Sequence, residues 1–408
     1  MRTSDTHRII NTLLAFALIP LSGLATDIYL PSLPAMASHF HVAGTAVQLT
    51  LVIFLVSSGI SQLFVGSLLD SFGRYRLNMS ALLVFALASF AIAITDNIYI
   101  IYLMRVIHGI AVALIVVSKR AYFVDSYSGD QLKHYTSLFS IIWATAPIVA
   151  PFLGGFLQAS FGWESNFYFL GIFTLIILVF ELLYGGESLK SFQPFKVRLI
   201  GKVYLSMVKT ADYTLGLFIL GLSFSMLMVY GMASPFIIEQ VLHYSPLVTG
   251  NCALLSGVAL MTGGMLSKAF IKKPLDQKII AALALQLFFA VSMITVSRHY
   301  TSLYSMMPFV MILHLLSGFV FNNLFSNCLG RFTKNAGIAS GVTGGSMFII
   351  TSIFSSAIIR SLTIQSGFML GVAYLILVLL VGITFFLFTK VRNTNAVQTN
   401  LEMVKVRS

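Results

Sequence analysis

The sequence predicts an all-α polytopic membrane protein, with twelve transmembrane helices arranged as two pseudo-symmetric six-helix bundles. Three observations carry that prediction. Of the 408 residues, 58% are hydrophobic and 9% charged, against roughly 25% charged in a soluble domain, too few to cover a water-facing surface. The apolar residues run in blocks of about 20, the length that crosses a ~30 Å bilayer core as helix. The charges that remain are sorted to one side. These features exclude a soluble enzyme, a disulfide-stapled secreted domain and, despite the net charge of +12, a nucleic-acid-binding module.

Blocks bounded by charges, Gly/Pro clusters or Asn/Asp place the helices at 9–34, 46–69, 79–95, 98–118, 136–158, 167–184, 213–238, 247–267, 279–297, 303–327, 337–359 and 368–389. The first block is expected to be retained, because it leads into a polar stretch around Asp27 rather than a small-residue cleavage site. With the N-terminus inside, all of the 25 Lys and Arg residues except Arg105, Arg298 and Arg360 fall in inner segments. The positive-inside rule then places both termini in the cytoplasm. The net charge is explained by anchors facing anionic lipid rather than by a ligand-binding field.

The longest polar connection, 185–212, carries five basic residues and follows helix six. It divides the chain into an N-terminal bundle (1–184), a cytoplasmic central loop (185–212) and a C-terminal bundle with a short cytoplasmic tail (213–408). A displacement of 198 residues lays Gly23-Leu24 on Gly221-Leu222, Gly66 on Gly264, Phe72 on Phe270 and Arg74 on Lys272, an internal echo of duplication. Two such halves place a site at their interface near the midplane. Cys252 and Cys328 fall near opposite ends of their helices, so they are read as unbridged packing residues.

An ionisable residue inside a span costs at least ~2.5 to 3.5 kcal/mol on insertion scales and is a functional hypothesis by default. Two sit well inside: Asp27 in helix one and Arg105 in helix four. Counting from the outer helix ends at ~1.5 Å per residue puts both ~10 to 12 Å below the outer surface. Burial penalises a charge that a nearby guanidinium stabilises, and these opposing pulls suit a group that must gain and lose a proton. Asp27 and Arg105 are therefore the expected proton-coupling pair, with a static ion pair as the alternative. Pro31 and Pro34, just after Asp27, remove backbone donors and bend the helix.

Candidates for the substrate cavity are Tyr29, two residues from Asp27, and Tyr230 in the corresponding part of helix seven. His108, three residues after Arg105 on the same face, joins them, as do His314, Asn322 and Asn323 in helix ten. Glu181 is expected to snorkel to the interface, while Asp96, Glu164 and Glu239 fit solvated outer positions.

Between helices two and three the chain reads Gly66-Ser-Leu-Leu-Asp70-Ser-Phe-Gly73-Arg74-Tyr75-Arg76. Glycine permits close packing and a tight turn, Asp70 favours the positive end of a helix, and the arginines anchor the inner face. This resembles the G-x-L-x-D-x-x-G-R-[KR]-x signature of the major facilitator superfamily, which implies that Gly66, Asp70, Gly73 and Arg74 belong to a conformational gate. Tyr75 stands where a basic residue is usual. Arg105-Val-Ile-His108-Gly109 is similar to the helix-four R-x-x-Q-G motif of drug:proton antiporters, with His108 in place of Gln. Pro147-Ile-Val-Ala150-Pro151 followed by Gly154-Gly155 resembles their helix-five string, with Ala150 for the first Gly. Such proline kinks and bare glycine surfaces let helices rock against each other.

Thr26-Asp27-Ile-Tyr29-Leu30-Pro31, Ser234-Pro235-Phe236 and Gly337-Ile-Ala339-Ser340-Gly341 look like the bicyclomycin-resistance branch of these antiporters. That branch usually has a second Arg after the one matched by Arg120, and this chain lacks it. The resemblance implies an inner-membrane, proton-coupled exporter of small molecules, drugs or amphipathic compounds, working by alternating access. A dedicated exporter of one metabolite, such as a siderophore, is the alternative. The partners expected are a small-molecule substrate, protons and the lipid bilayer, with no nucleic acid, and the chain is expected to act as a monomer. No cofactor, metal or catalytic residue is expected, because neither a G-x-x-x-x-G-K-[ST] loop nor an H-E-x-x-H string occurs.

Overall fold

Backbone N–H and C=O groups have no water to bond inside a bilayer, so each apolar block satisfies them internally as helix. The computed structural model describes residues 5–189, 191–192, 197–332 and 336–407, and no strand occurs among them. Of the inner basic residues, Arg2, Lys190, Lys196 and Lys334 lie outside the described residues.

Span one comprises α1 (Asp5–Leu18), α2 (Leu21–Asp27), a 3-10 turn (Leu30–Ser32) and α3 (Leu33–His39). Spans two to six are α4 (Gly44–Phe72), α5 (Arg74–Ile94), α6 (Ile98–Ser126), α7 (Gly129–Phe161) and α8 (Glu164–Tyr184). After α9 (Val197–Lys209) comes span seven, α10 (Ala211–Pro235) continued by a π-helical turn (Phe236–Val241). Spans eight to twelve are α11 (Pro246–Ala269), α12 (Leu275–His299), α13 (Leu303–Arg331), α14 (Ala336–Leu362) and α15 (Gly367–Arg407). Eleven described spans are long and apolar enough to cross a membrane. The twelfth, α7, has 33 residues and contains the apolar stretch Thr145–Phe161.

Local chemistry sets the ends. The Asn97 side chain accepts the Tyr99 N–H at 2.9 Å to cap α6, and Ser302 and Ser305 form a reciprocal capping box on α13. Gly73, at φ +92°, turns the chain between α4 and α5 in a conformation that disfavours other residues.

Four expectations change. Span one is not a single bent helix. It breaks before Pro20 as well as after Asp27, because each proline removes a backbone donor. The connection 185–212 holds α9, in which apolar residues recur at helical spacing among the lysines. Span five begins at Gly129, seven residues earlier than expected, and α15 runs to Arg407 instead of ending near 389. Polar residues continue these last helices beyond their apolar part, where hydropathy gives no signal.

Within the first half α6 packs on α4 and α5, and α5 on α8. Within the second, α13 packs on α11, α12 and α10. Across the halves α4 meets α14 and α7 meets α11. The internal echo has a packing counterpart: Gly23 abuts Ala146 of α7, and Gly221 abuts Ile350 of α14. Span seven is buried almost throughout, whereas Leu87, Phe156, Phe288 and Phe386 on peripheral helices are exposed, as lipid contact requires.

Candidate functional site

The site grows from the break in span one. Helix α2 ends at Asp27, and Pro31 sits in the 3-10 turn that follows. Two contacts hold the break. Gly154 of α7 comes so close to the Ile28 carbonyl that any Cβ would collide with it, and Asn166 of α8 donates to the Ser32 hydroxyl at 2.8 Å.

Asp27 is buried and faces a cavity lined by Ser22, Gly23, Thr26, Leu55 and Pro147 from the first half and by Phe224 and Phe348 from the second. The open space is about that needed by one water molecule. No described residue bonds to the carboxyl group. An acid so placed, between two halves and beside water-sized space, is equipped to exchange a proton.

Arg105 does not pair with it. The arginine is fully buried, donates through Nη2 to the Ala25 carbonyl at 3.1 Å and lies over the rings of Tyr29 and Phe54, 4.4 and 4.7 Å from their centroids. The expected ion pair is absent among the described residues. Residues two apart on a helix point about 200° apart, so the face of span one around Ala25 and Tyr29 meets Arg105 while Asp27 looks toward the other half. The matched depth was legible in sequence, but the facing was not. Aromatic faces and a carbonyl from the last turn of α2 compensate the guanidinium.

The predicted cavity residues lie elsewhere. Tyr29 donates to or accepts from Thr50 Oγ1 at 2.9 Å and stacks on Arg105. His108 is fully buried between α5 and α6, with Ser89 Oγ at 3.0 Å and the Phe85 ring stacked at 4.3 Å. His314 bonds to Ser256 Oγ at 2.6 Å and Tyr374 OH at 3.0 Å, and Tyr230 donates to Met307 Sδ at 3.3 Å. Asn322 donates to the Gly264 carbonyl at 3.1 Å, and Asn323 receives Lys278 Nζ at 2.6 Å. None of these six lines the Asp27 cavity. Each is satisfied in helix packing, as buried polar groups generally are.

At the basic end of the bundle, Arg74 donates to Asp70 at 3.1 Å and to Asp125, which also accepts from Ser188 at 2.9 Å. Glu187 accepts the N–H groups of Arg74 and Tyr75, each at 3.1 Å. Gly73 allows this approach, since a Cβ there would lie 2.7 Å from Glu187 Oε2. A Cβ at Gly66 would meet no atom of another described helix within 4 Å. Glu181 does not snorkel: it is buried and pairs with Lys119 of α6. Lys119 and Glu181 lie near the same ends of their helices in the sequence, a signal that could have revealed the pair.

Glycines also form the seams between halves. Gly59 packs on the Gly345 backbone and Gly341 faces the Gln62 carbonyl toward the basic end, where Tyr204 of α9 also donates to the Leu63 carbonyl. At the far end Gln48 donates to the Met232 carbonyl at 2.7 Å and Phe236 lies against Gly44. Pro147 meets Gly257, Pro151 meets Gly250, and Gly155 packs on Pro246 and Gly250. Gly154 and Gly155, adjacent in sequence, thus serve different joints, one within a half and one between halves. Contacts between the halves thus lie on both sides of Asp27.

The profile of the Major Facilitator Superfamily matches residues 15–355. The chain belongs to the major facilitator superfamily. Among the similar proteins of this facilitator, an uncharacterized MFS-type transporter of Bacillus subtilis is 28% identical over 345 residues, covering 82% of this chain and 85% of its own. A bicyclomycin resistance protein homolog of Haemophilus influenzae is 25% identical over 357 residues, covering 87% and 89%, so the resemblance to that branch stands. The crystal structure of a D-xylose-proton symporter superposes with a TM-score of 0.66 at 16% identity, covering 92% of this chain and 97% of its own, which establishes the shared fold. The facilitator is a multi-pass membrane transporter of small molecules and not an enzyme.

Proposed function

We propose that the protein is a bacterial inner-membrane antiporter that exports drugs or other amphipathic small molecules in exchange for protons. It works as a monomer with both termini cytoplasmic. The bundles 1–184 and 213–408, joined through 185–212, rock about the interface, with the contacts of Asp70, Gly73 and Arg74 at the inner gate and Pro147, Pro151, Gly154 and Gly155 at the moving seam. The observation that carries this reading is the buried Asp27 carboxyl, which faces the interface cavity with no described bonding partner.

In the cycle Asp27 takes a proton from outside, the halves move, and the proton leaves inward. Arg105 acts as a positioning residue through Ala25 and Tyr29, holding the broken helix so that Asp27 faces the cavity. Relatives named for bicyclomycin, multidrug and chloramphenicol resistance support an exported drug as the substrate. In proteoliposomes loaded with chloramphenicol or bicyclomycin, transport driven by an imposed pH gradient should disappear in Asp27→Asn while downhill exchange persists. Gradient-driven transport at the unmodified rate would remove Asp27 as the carrier. The absence of the second Arg after Arg120 favours, as a second reading, a dedicated exporter of one metabolite such as a siderophore. Transport of one such compound with no unrelated drug carried would establish it.

A further inference from the structure

A second acid is built into the far, outer end of the interface. The sequence suggested that Glu239 is solvated. Instead, in the π-helical turn Phe236–Val241 following Pro235, Glu239 is half-buried and its Oε1 accepts from the Thr249 hydroxyl at 2.8 Å. Inserted π turns recur at functional sites. Both partners belong to the second half, and each has a neighbour that touches the first. Phe236, in the same turn, lies under Gly44, and Gly250, next to Thr249, packs on Pro151 and Gly155. Helix α3 of the first half also packs against the turn.

We infer that Glu239 is a second proton-binding site, whose protonation accompanies closure of the outer gate. This rests on the alternating-access reading above. The hydrogen bond to Thr249 lies within one half and persists as the gate moves. What the gate changes is water: opening withdraws α3 and Gly44 and hydrates the carboxylate. Closing restricts that water and leaves one neutral hydroxyl as the carboxylate's protein donor, an environment more costly for an anion than for the neutral acid.

The titratable groups toward the turn on the elements packed against it are His39 at the end of α3, Tyr230 on α10 and Cys252 on α11, with His243 and Tyr244 following the turn itself, whereas Asp212, Tyr213 and Lys268 lie at the opposite ends of α10 and α11. Arg360 lines a separate small cavity with Gln48 and Met232. None of these makes an ion pair with Glu239 among the described residues, so no fixed cation holds it charged. The proton balance is simple: the outward-open carboxylate takes one proton from the outer water, and the closed state holds it as the carboxylic acid.

The test reads the gate, not transport. Spin labels at two exposed outer positions, introduced as Ala43→Cys and Tyr244→Cys, report the distance across it, and the native cysteines are buried. An Asp27→Asn background removes the other candidate proton site. The short-distance population should grow as pH falls, by up to about tenfold per pH unit for one linked proton. Glu239→Gln should abolish the response and hold the gate at its low-pH distribution. Glu239→Asp, which keeps the acid but shortens its reach to Thr249, should retain a response with a displaced midpoint. An unchanged pH response in Glu239→Gln, or no response in the parent protein, overturns the inference. Gradient-driven export that survives Asp27→Asn, with the gate still titrating through Glu239, would sink the carrier assignment and leave this one standing.

Discussion

The first six spans and the last six share a helix plan but differ in what they bury. In the first half, span one carries Asp27 and span four carries the fully buried Arg105. At the displacement of 198 that superimposes Gly23 on Gly221, Asp27 falls on Ser225, whose hydroxyl donates to the Gly221 carbonyl at 2.8 Å. Span ten of the second half carries His314, tied to Ser256 and Tyr374. At the basic end, Arg74 is engaged by Asp70 and Asp125, while the superimposed Lys272 and Lys268 make no ion pair among the described residues. One half therefore holds both ionisable residues near the midplane, and the other offers the apolar rings of Phe224 and Phe348 to the cavity beside Asp27. A duplicated scaffold can separate duties in this way because helix packing depends on small residues at seams, which both halves keep. An acid facing the midplane cavity appears only in the first half.

The largest effect that would break this comparison is on coupling. Asp27→Asn should lower gradient-driven export to background in proteoliposomes, whereas Ser225→Ala should leave it within about twofold, since a net hydrogen bond contributes only ~1 kcal/mol. Equal losses in both would show that the halves share the proton task.

Next comes the seam. Gly154→Ala drives a Cβ into the Ile28 carbonyl, which cannot yield, and should cost about 3 kcal/mol or more of stability. Gly221→Ala meets the Ile350 side chain, which can shift, and should cost about 1 kcal/mol. Thermal unfolding in one detergent ranks the two, and the reverse order would contradict the backbone contact described at Ile28.

A smaller difference separates the buried bases. Arg105→Lys loses the planar stacking on Tyr29 and Phe54 and should reduce gradient-driven export by about tenfold. His314→Ala strands two hydroxyls and should lower stability by about 1 to 3 kcal/mol while export per folded molecule is retained. The smallest contrast lies at the basic end: Arg74→Ala should slow export several-fold by freeing Asp70 and Asp125, and Lys268→Ala should leave the rate unchanged. Initial-rate measurements distinguish these outcomes.

Much of this was legible in the chain itself. Block length and charge sorting specify twelve crossings, and insertion cost singles out Asp27 and Arg105. The motif around Gly73 marks a turn whose positive φ the structure contains. What failed were statements of facing. The cost of polar groups inside spans points Tyr29, His108, Tyr230, His314, Asn322 and Asn323 toward a cavity, yet each has a partner on a neighbouring helix. Glu181 and Glu239 lie near helix ends, where the sequence predicts an interfacial and a solvated position. A partner at Lys119 buries Glu181 instead, and the π turn after Pro235 leaves Glu239 half-buried against Thr249.

The sequence by itself determined that this protein crosses a membrane, how often, and which ionisable residues the membrane would not tolerate idly, because transfer of charge and apolar surface is a property of the residues themselves. Only the tertiary structure decided that Asp27 looks into the interface while Arg105 turns to Ala25 and two aromatic rings. Depth along a helix is set by counting residues. Direction around it depends on breaks such as the one after Asp27, and on which neighbouring backbone, here that of Gly154, comes close enough to hold the break in place.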